Sequence, residues 1–179
     1  YILIVNDDNV FPKNWDIGLE PYLSKGKVVS PNQIEPKPSM FRQFHIHDLG
    51  KNTDEFNLDQ FWDYEQSLSV LPPEKSGSTL PFAMYKHDYL AVGGWDIMYP
   101  SPHVVDWDFF LKCEYFGMEM LRVYKHFYHF ASVSTRKTPE QSAESTRKEM
   151  LAHKFFTNKW GTPAEHNPQN NSKLLNKFK

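Results

Sequence analysis

The side chains able to do chemistry in this chain are acids placed where strands or helices should end. The first stretch is Tyr1-Ile2-Leu3-Ile4-Val5-Asn6-Asp7-Asp8, an apolar run leading straight into an amide and two carboxylates. Carboxylate oxygens suit magnesium, manganese and calcium, so Asp7 and Asp8 form a candidate site for a hard cation. An Asx turn or a helix N-cap would use the same residue types. A second acidic pair is Asp106-Trp107-Asp108. Acids in a first helical turn are also favoured by the helix dipole and by unpaired backbone N–H groups, so this pair has a structural reading too. His45 and His47 would share one face of a strand, as two metal ligands do. No third ligand of matching type lies nearby in the sequence, which favours exposed or hydrogen-bonded histidines over a zinc site. His129, within Phe127-Tyr128-His129-Phe130, reads on its own as a partly buried histidine in an aromatic strand.

The elements that must position these groups can be read from periodicity. The opening run, rich in β-branched residues, predicts a strand buried on both faces, as inside a parallel sheet. Ligands of open α/β sheets bind just past the carboxyl ends of such strands. A chain that opens inside a core strand, without Met, is expected to be the later part of a longer protein, because a buried strand needs neighbours on both sides. Asn14 is a candidate cap for a helix over Trp15–Ser24, and Lys27–Ser30 predicts a strand cut off by Pro31. The alternation from Phe41 to His47 predicts an edge or antiparallel strand. Leu58–Val70 predicts a helix whose acids Asp59, Asp63 and Glu65 form a solvated face. The loop from Pro72 to Gly77 is long enough to cover a site. A strand over Ser78–Tyr85 and a short helix over His87–Val92 follow, stopped by Gly93-Gly94, which allow a backbone closed to larger residues. A helix opening at Asp106 and ending at Gly117, a strand over Met118–His129, and a long amphipathic helix from Pro139 to Trp160 closed by Gly161 complete the order. The tail from residue 162 is expected to be loosely held.

Bulk properties narrow the function classes. At 179 residues, with 40% hydrophobic and 16% aromatic side chains, the chain suits one globular domain. A formal net charge of −2 disfavours nucleic acid as partner. The single cysteine, Cys113, rules out an internal disulfide and fits a reducing compartment. No apolar run is long enough to span a bilayer and no signal peptide is visible, so a cytoplasmic location is expected, with attachment to a membrane surface left open.

Taken in order, these segments resemble the family 2 glycosyltransferases of the GT-A fold. The resemblance rests on a strand ending Asn6-Asp7-Asp8, the segment Gly93-Gly94-Trp95-Asp96, the helix start Asp106-Trp107-Asp108-Phe109 and the strand end Tyr128-His129-Phe130. The close of the last helix, Lys159-Trp160-Gly161, is similar as well. These match a D-x-D-type motif, a G-G-[F/W]-D segment, an E-D-x-D-[L/F] helix start and a late metal-binding His. Two positions depart from the pattern: Asn6 stands for the leading Asp, and Val105 for the Glu before Asp106.

The resemblance implies an α/β, Rossmann-related mixed sheet flanked by helices, here a partial domain over residues 1–161 followed by a tail over 162–179. It implies transfer of a sugar from a nucleotide-diphosphate donor, a UDP-sugar favoured, to a hydroxyl of a saccharide or glycan acceptor, with inversion, as in polysaccharide biosynthesis. The cofactor would be a divalent cation, Mn2+ or Mg2+, which neutralises charge on the leaving diphosphate. Asp8 and His129 would be its ligands, with Asn6, Asp7 and Asp8 on the donor. Asp106 would be the catalytic base. Gly94, Trp95, Asp96 and Asp108 would line the acceptor side, although Asp108, about 200° round a helix from Asp106, would then point elsewhere and support a loop or cap. In the family, earlier strands bind the nucleotide base. A non-catalytic remnant that binds saccharide or protein is therefore the alternative. A phosphatase using the strand-end acids leaves the Gly-Gly-Trp-Asp segment unexplained.

Overall fold

The computed structural model describes residues 1–38, 45–75, 79–130 and 138–164. The strands are β1 (Ile2–Ile4), β2 (Asn9–Val10), β3 (Lys27–Glu35), β4 (His45–Ile46), β5 (Glu74–Lys75), β6 (Phe82–Met84) and β7 (Glu119–His129). The helices are α1 (Trp15–Leu19), α2 (Leu58–Ser67), α3 (Lys86–Val92), α4 (Val105–Tyr115) and α5 (Pro139–Trp160). They form a mixed α/β fold around one seven-stranded sheet in the order β1-β6-β3-β7-β2, with β4 added to β3 and β5 to β7.

The two long strands, β3 and β7, run parallel at the centre. β6 lies antiparallel to both β1 and β3, which makes β1 parallel to β3 and β7. The carboxyl ends of β1, β3 and β7 therefore open at the same end of the sheet. That shared direction brings the residues after β1, Glu35 and His129 towards one another.

Two expectations about strands are corrected. β1 is a half-buried edge strand paired with β6 alone among the described residues, not a core strand buried on both faces. Leu3 packs against α1 on one side and Ile2 and Ile4 against the α3–α4 core on the other, so a hydrophobic run did not require two strand neighbours. β3 does not stop at Pro31 but continues through it to Glu35. Proline lacks the N–H that a ladder needs, and it is tolerated at irregularities. Here the register jumps from Pro31 opposite Val123 to Asn32 opposite His126, so the missing donor falls at the break.

The strand expected from Phe41 to His47 is seen as β4, an edge strand running parallel to the end of β3; residues 39–44 lie outside the described residues. Within the Pro72–Gly77 loop, Glu74 and Lys75 join the sheet beside β7. α1 is shorter than expected because a 3-10 turn over Glu20–Tyr22, with Pro21, tightens its end.

The core lies on both faces of the sheet. On one face Leu3, Val29, Ala83 and Val123 meet Leu19 and Trp15 of α1. Elsewhere Val28, Phe82, Met84 and Met120 meet Val92 of α3 and Phe109, Phe110 and Cys113 of α4. α2 inserts Phe61 against Ile34 and Tyr128. Its acid Glu65 is buried, not solvated: it binds Lys125 Nζ at 2.8 Å and accepts from the His126 backbone N–H. α5 docks on α4 through Ala152 and Phe156. Its start is a capping box, Thr138 with Gln141, and its end is Gly161 in the left-handed region. Among the described residues no helix is long and apolar enough to cross a membrane.

Candidate functional site

Two groups of chemically useful side chains sit beyond the carboxyl ends of the parallel strands. The segment Asn6–Asp8 joins them.

The first group is an acid–histidine cluster. His129, the last residue of β7, directs Nδ1 to Glu35 Oε1 at 2.8 Å and Nε2 to Asp8 Oδ2 at 3.4 Å. The backbone fixes this meeting: Asn9 of β2 pairs with His129, and Phe130 N–H donates to the Asp8 carbonyl at 3.1 Å. Burial pulls the imidazolium down, but the hydrogen bonds to Asp8 and Glu35 outweigh it and hold the ring at about 9. At neutral pH His129 is thus a cation between two carboxylates. Asp7 beside it is exposed.

The donor set fits a hard cation in part. Glu35 grips Nδ1 and turns Nε2 towards Asp8, which is how ligating histidines are commonly oriented. Glu35 Oε2 is buried without a hydrogen-bond partner among the described residues, so this oxygen has room for one more donor or ligand. Among the described residues no three His, Cys, Asp or Glu side chains are arranged so that they could hold a metal ion between them. Asp8 and His129 would therefore hold a cation only once His129 has given up its proton, and with oxygens from elsewhere, as magnesium has at phosphates.

The second group lines a cleft of about 660 Å³. Ile4, Val5 and Asn6 form its floor, with Leu80 and Trp95 beside them. Val104 to Trp107, at the start of α4, form one wall, and Glu149 and His153 of α5 form another. Asp106 is brought to this cleft by an unusual helix start. The residue before α4, Val104, has φ 55°, a left-handed conformation that costs a β-branched residue of order 1–3 kcal/mol.

Asp106 has few partners. Its Oδ1 accepts from the Trp107 backbone N–H at 3.0 Å, and it forms no ion pair among the described residues. Burial of the carboxyl among apolar neighbours raises it to about 6, against the weaker opposing pull of that backbone bond. A carboxyl balanced there accepts protons near neutral pH, which suits a general base.

Asp108 shares the helix but not the cleft. It is fully buried, accepts from Trp160 Nε1 at 2.7 Å and Tyr99 Oη at 3.2 Å, and pairs with Lys159 at 2.7 Å. Lys112 Nζ lies 3.3 Å from it. This carboxylate ties α4 to α5. Asp96 joins the same tie: Lys159 Nζ bonds it at 2.6 Å and holds its carboxyl below the usual range.

Trp95 serves both core and cleft. Its ring packs on Phe82 and Phe109, with centroids 6.1 and 5.3 Å away, while it also borders the open space. Gly94 before it has φ 59°, and a Cβ there would come within 3.0 Å of the Tyr89 ring. Lys112 Nζ holds the Gly94 carbonyl at 2.7 Å. The structure thus gathers Asn6, Trp95 and Asp106 in one cleft, and Asp8 with His129 in a cluster. Gly94, Asp96 and Asp108 support them.

His45 and His47 go separate ways: His45 packs edge-on to His126, and His47 stacks on Tyr64 at 3.9 Å. Three site residues were not signalled by the sequence reading. Glu35 was hidden by the expected end of its strand at Pro31. Glu149 and His153, four apart on α5, had helical spacing as their only signal. No protein-family model and no curated protein matches the chain.

Proposed function

We propose that this chain forms the cation- and acceptor-binding end of a GT-A-like glycosyltransferase, related to family 2, that moves a sugar from a nucleotide diphosphate to an acceptor hydroxyl. One observation carries the reading: a single cleft holds Asn6, Trp95 and an Asp106 whose carboxyl sits near 6. In this reading Trp95 offers a flat apolar face to a pyranose ring. Asp106 accepts the proton of the attacking hydroxyl as it adds to the anomeric carbon from the side opposite the leaving diphosphate, which inverts that centre. Asp8 and His129 would hold Mn2+ or Mg2+, which when bound supplies charge neutralisation for the diphosphate. Asn6 and Asp7 reach towards the donor. Lys159, Trp160 and Asp108 keep α4 and α5 fixed, so that Asp106 is held in place rather than free to collapse onto a cation.

The test is calorimetry and transfer with UDP-sugars, with and without manganese, for the wild type and Asp106→Asn. The expected result is manganese-dependent nucleotide binding in both and transfer only in the wild type. Normal turnover by Asp106→Asn would remove the base assignment. Silence towards every nucleotide sugar would favour a non-catalytic saccharide- or protein-binding domain.

A further inference from the structure

A buried imidazole normally satisfies at least one ring nitrogen with a hydrogen bond. His126 on β7 does not. It is 1% exposed, and neither Nδ1 nor Nε2 meets a partner among the described residues. The side-chain oxygen of Asn32, the residue opposite it on β3, is likewise buried without a partner. Neither residue lines the cleft that holds Asp106.

The sheet register brings a third group to the same place. Asn32 pairs with His126 and Ile34 pairs with His45, on strands that flank β3 from its two sides. Asn32 and Ile34 are two residues apart, so they and the residues opposite them present side chains to one face of the sheet. The His45 and His126 rings reach over β3 from opposite sides and meet edge-on, with centroids 4.7 Å apart. The backbone of His126 is anchored: its N–H donates to Glu65 Oε1 at 3.3 Å, while Lys125 Nζ holds Glu65 Oε2 at 2.8 Å. His45 is half-buried, which gives the pair access to solvent.

These three groups are electron-pair donors of one chemical kind. Burial, with His45 and Lys125 nearby, pushes His126 down to about 4, so its ring is uncharged at neutral pH and keeps a lone pair for a ligand. Neutral imidazole suits zinc and copper, whereas magnesium demands oxygens. Two imidazoles bound to one zinc, each at about 2.0–2.1 Å and at a right to tetrahedral angle, have ring centres about 4.5–5.2 Å apart. The observed separation falls within that range. Which edge of each ring faces its neighbour is set by a broad side-chain torsion, so no strand has to move.

We propose that His45 and His126, with the Asn32 side-chain oxygen as third donor, form a zinc site that clamps the edge strand β4 to β7 across β3. Water completes a tetrahedral set. The site is separate from the one at Asp8 and His129 and takes zinc in the presence of magnesium.

The test is zinc titration of the full chain at pH 7.5 in excess magnesium, followed by imidazole NMR and calorimetry. One equivalent of zinc should shift the His45 and His126 ring signals together. His45→Ala and His126→Leu should each weaken zinc at least about 10-fold, and Asn32→Ala should weaken it less. His87→Ala, which removes an exposed histidine of α3, should leave it unchanged. Zinc at a hundredfold excess over Kd should raise the Tm of the wild type by about 5 °C or more, and that of His45→Ala by clearly less. Zinc that shifts His129 alone, ring signals of His45 and His126 that do not move, or an affinity untouched by His45→Ala would overturn the site. An affinity untouched by Asn32→Ala would remove Asn32 from it. Should His126→Leu fail to fold, the wild-type ring signals and His45→Ala decide the matter alone.

Discussion

Replacing Asp106 by Asn should make the protein more stable, and only above a defined pH. The carboxyl is raised from 3.8 to about 6 because burial disfavours its charged form. Between those values the folded chain keeps a proton that the unfolded chain releases. Wild-type stability therefore falls as pH rises through this window and stays lowered above it. A shift of about 2 pKa units corresponds to about 3 kcal/mol. The carboxyl is partly open to the cleft, where solvent screens it, so about 1–3 kcal/mol is the working range. Asn keeps the shape and can still accept from the Trp107 N–H. Urea unfolding of both proteins at pH 4 and pH 7.5 measures the effect. The expected result is near-equal stability at pH 4 and a gain of about 1–3 kcal/mol for Asp106→Asn at pH 7.5. A gain equal at both pH values, or a loss at pH 7.5, would refute the argument that the cleft desolvates this acid.

Two histidines three residues apart on β7 should titrate in opposite senses. His126 is pushed down to about 4, first by burial and then by His45 and Lys125, whereas His129 is held at about 9. Imidazole NMR of the metal-free protein should resolve both, and a coincident pair near 6.5 would contradict the structure. Because His129 is raised, its contribution to stability is fully present below 6.5 and is lost as pH rises through about 9. Unfolding of His129→Gln should lack that decline. Gly94→Ala should cost more than Gly93→Ala, since both have positive φ but only the Gly94 Cβ would strike Tyr89. A difference of about 1–2 kcal/mol in thermal unfolding is expected, and equal losses would show that Tyr89 yields freely.

Much of this architecture was written in local signals. The bounds of α5 follow from Thr138, Pro139, Gln141 and Gly161, each of which acts on its own neighbours. α3 ends where Gly93 supplies a left-handed residue, and β7 matches its expected span within one residue. The misreadings all turned on tertiary context. Pro31 forbids a regular ladder, yet the break opposite Val123–His126 accommodates it, and only the partner strand reveals that. With β3 extended, Glu35 becomes reachable by His129. Glu65 looks like a surface acid by its neighbours and is buried because Lys125 of β7 reaches it. Asp106 and Asp108 have the same local surroundings, and their separation into a cleft-facing carboxyl and a buried tie depends on Lys159 and Trp160 more than fifty residues later.

The central claim is that Asp106 takes the acceptor's proton from within the cleft. The most direct measurement is the pH dependence of kcat/KM for sugar transfer. A base is active when deprotonated, so the rate should rise through an apparent pKa of about 6 and level off above it. Asp106→Asn should abolish transfer at every pH while still binding the nucleotide. A profile flat from pH 5 to 8, or an Asp106→Asn variant that retains the wild-type limb, would contradict the account.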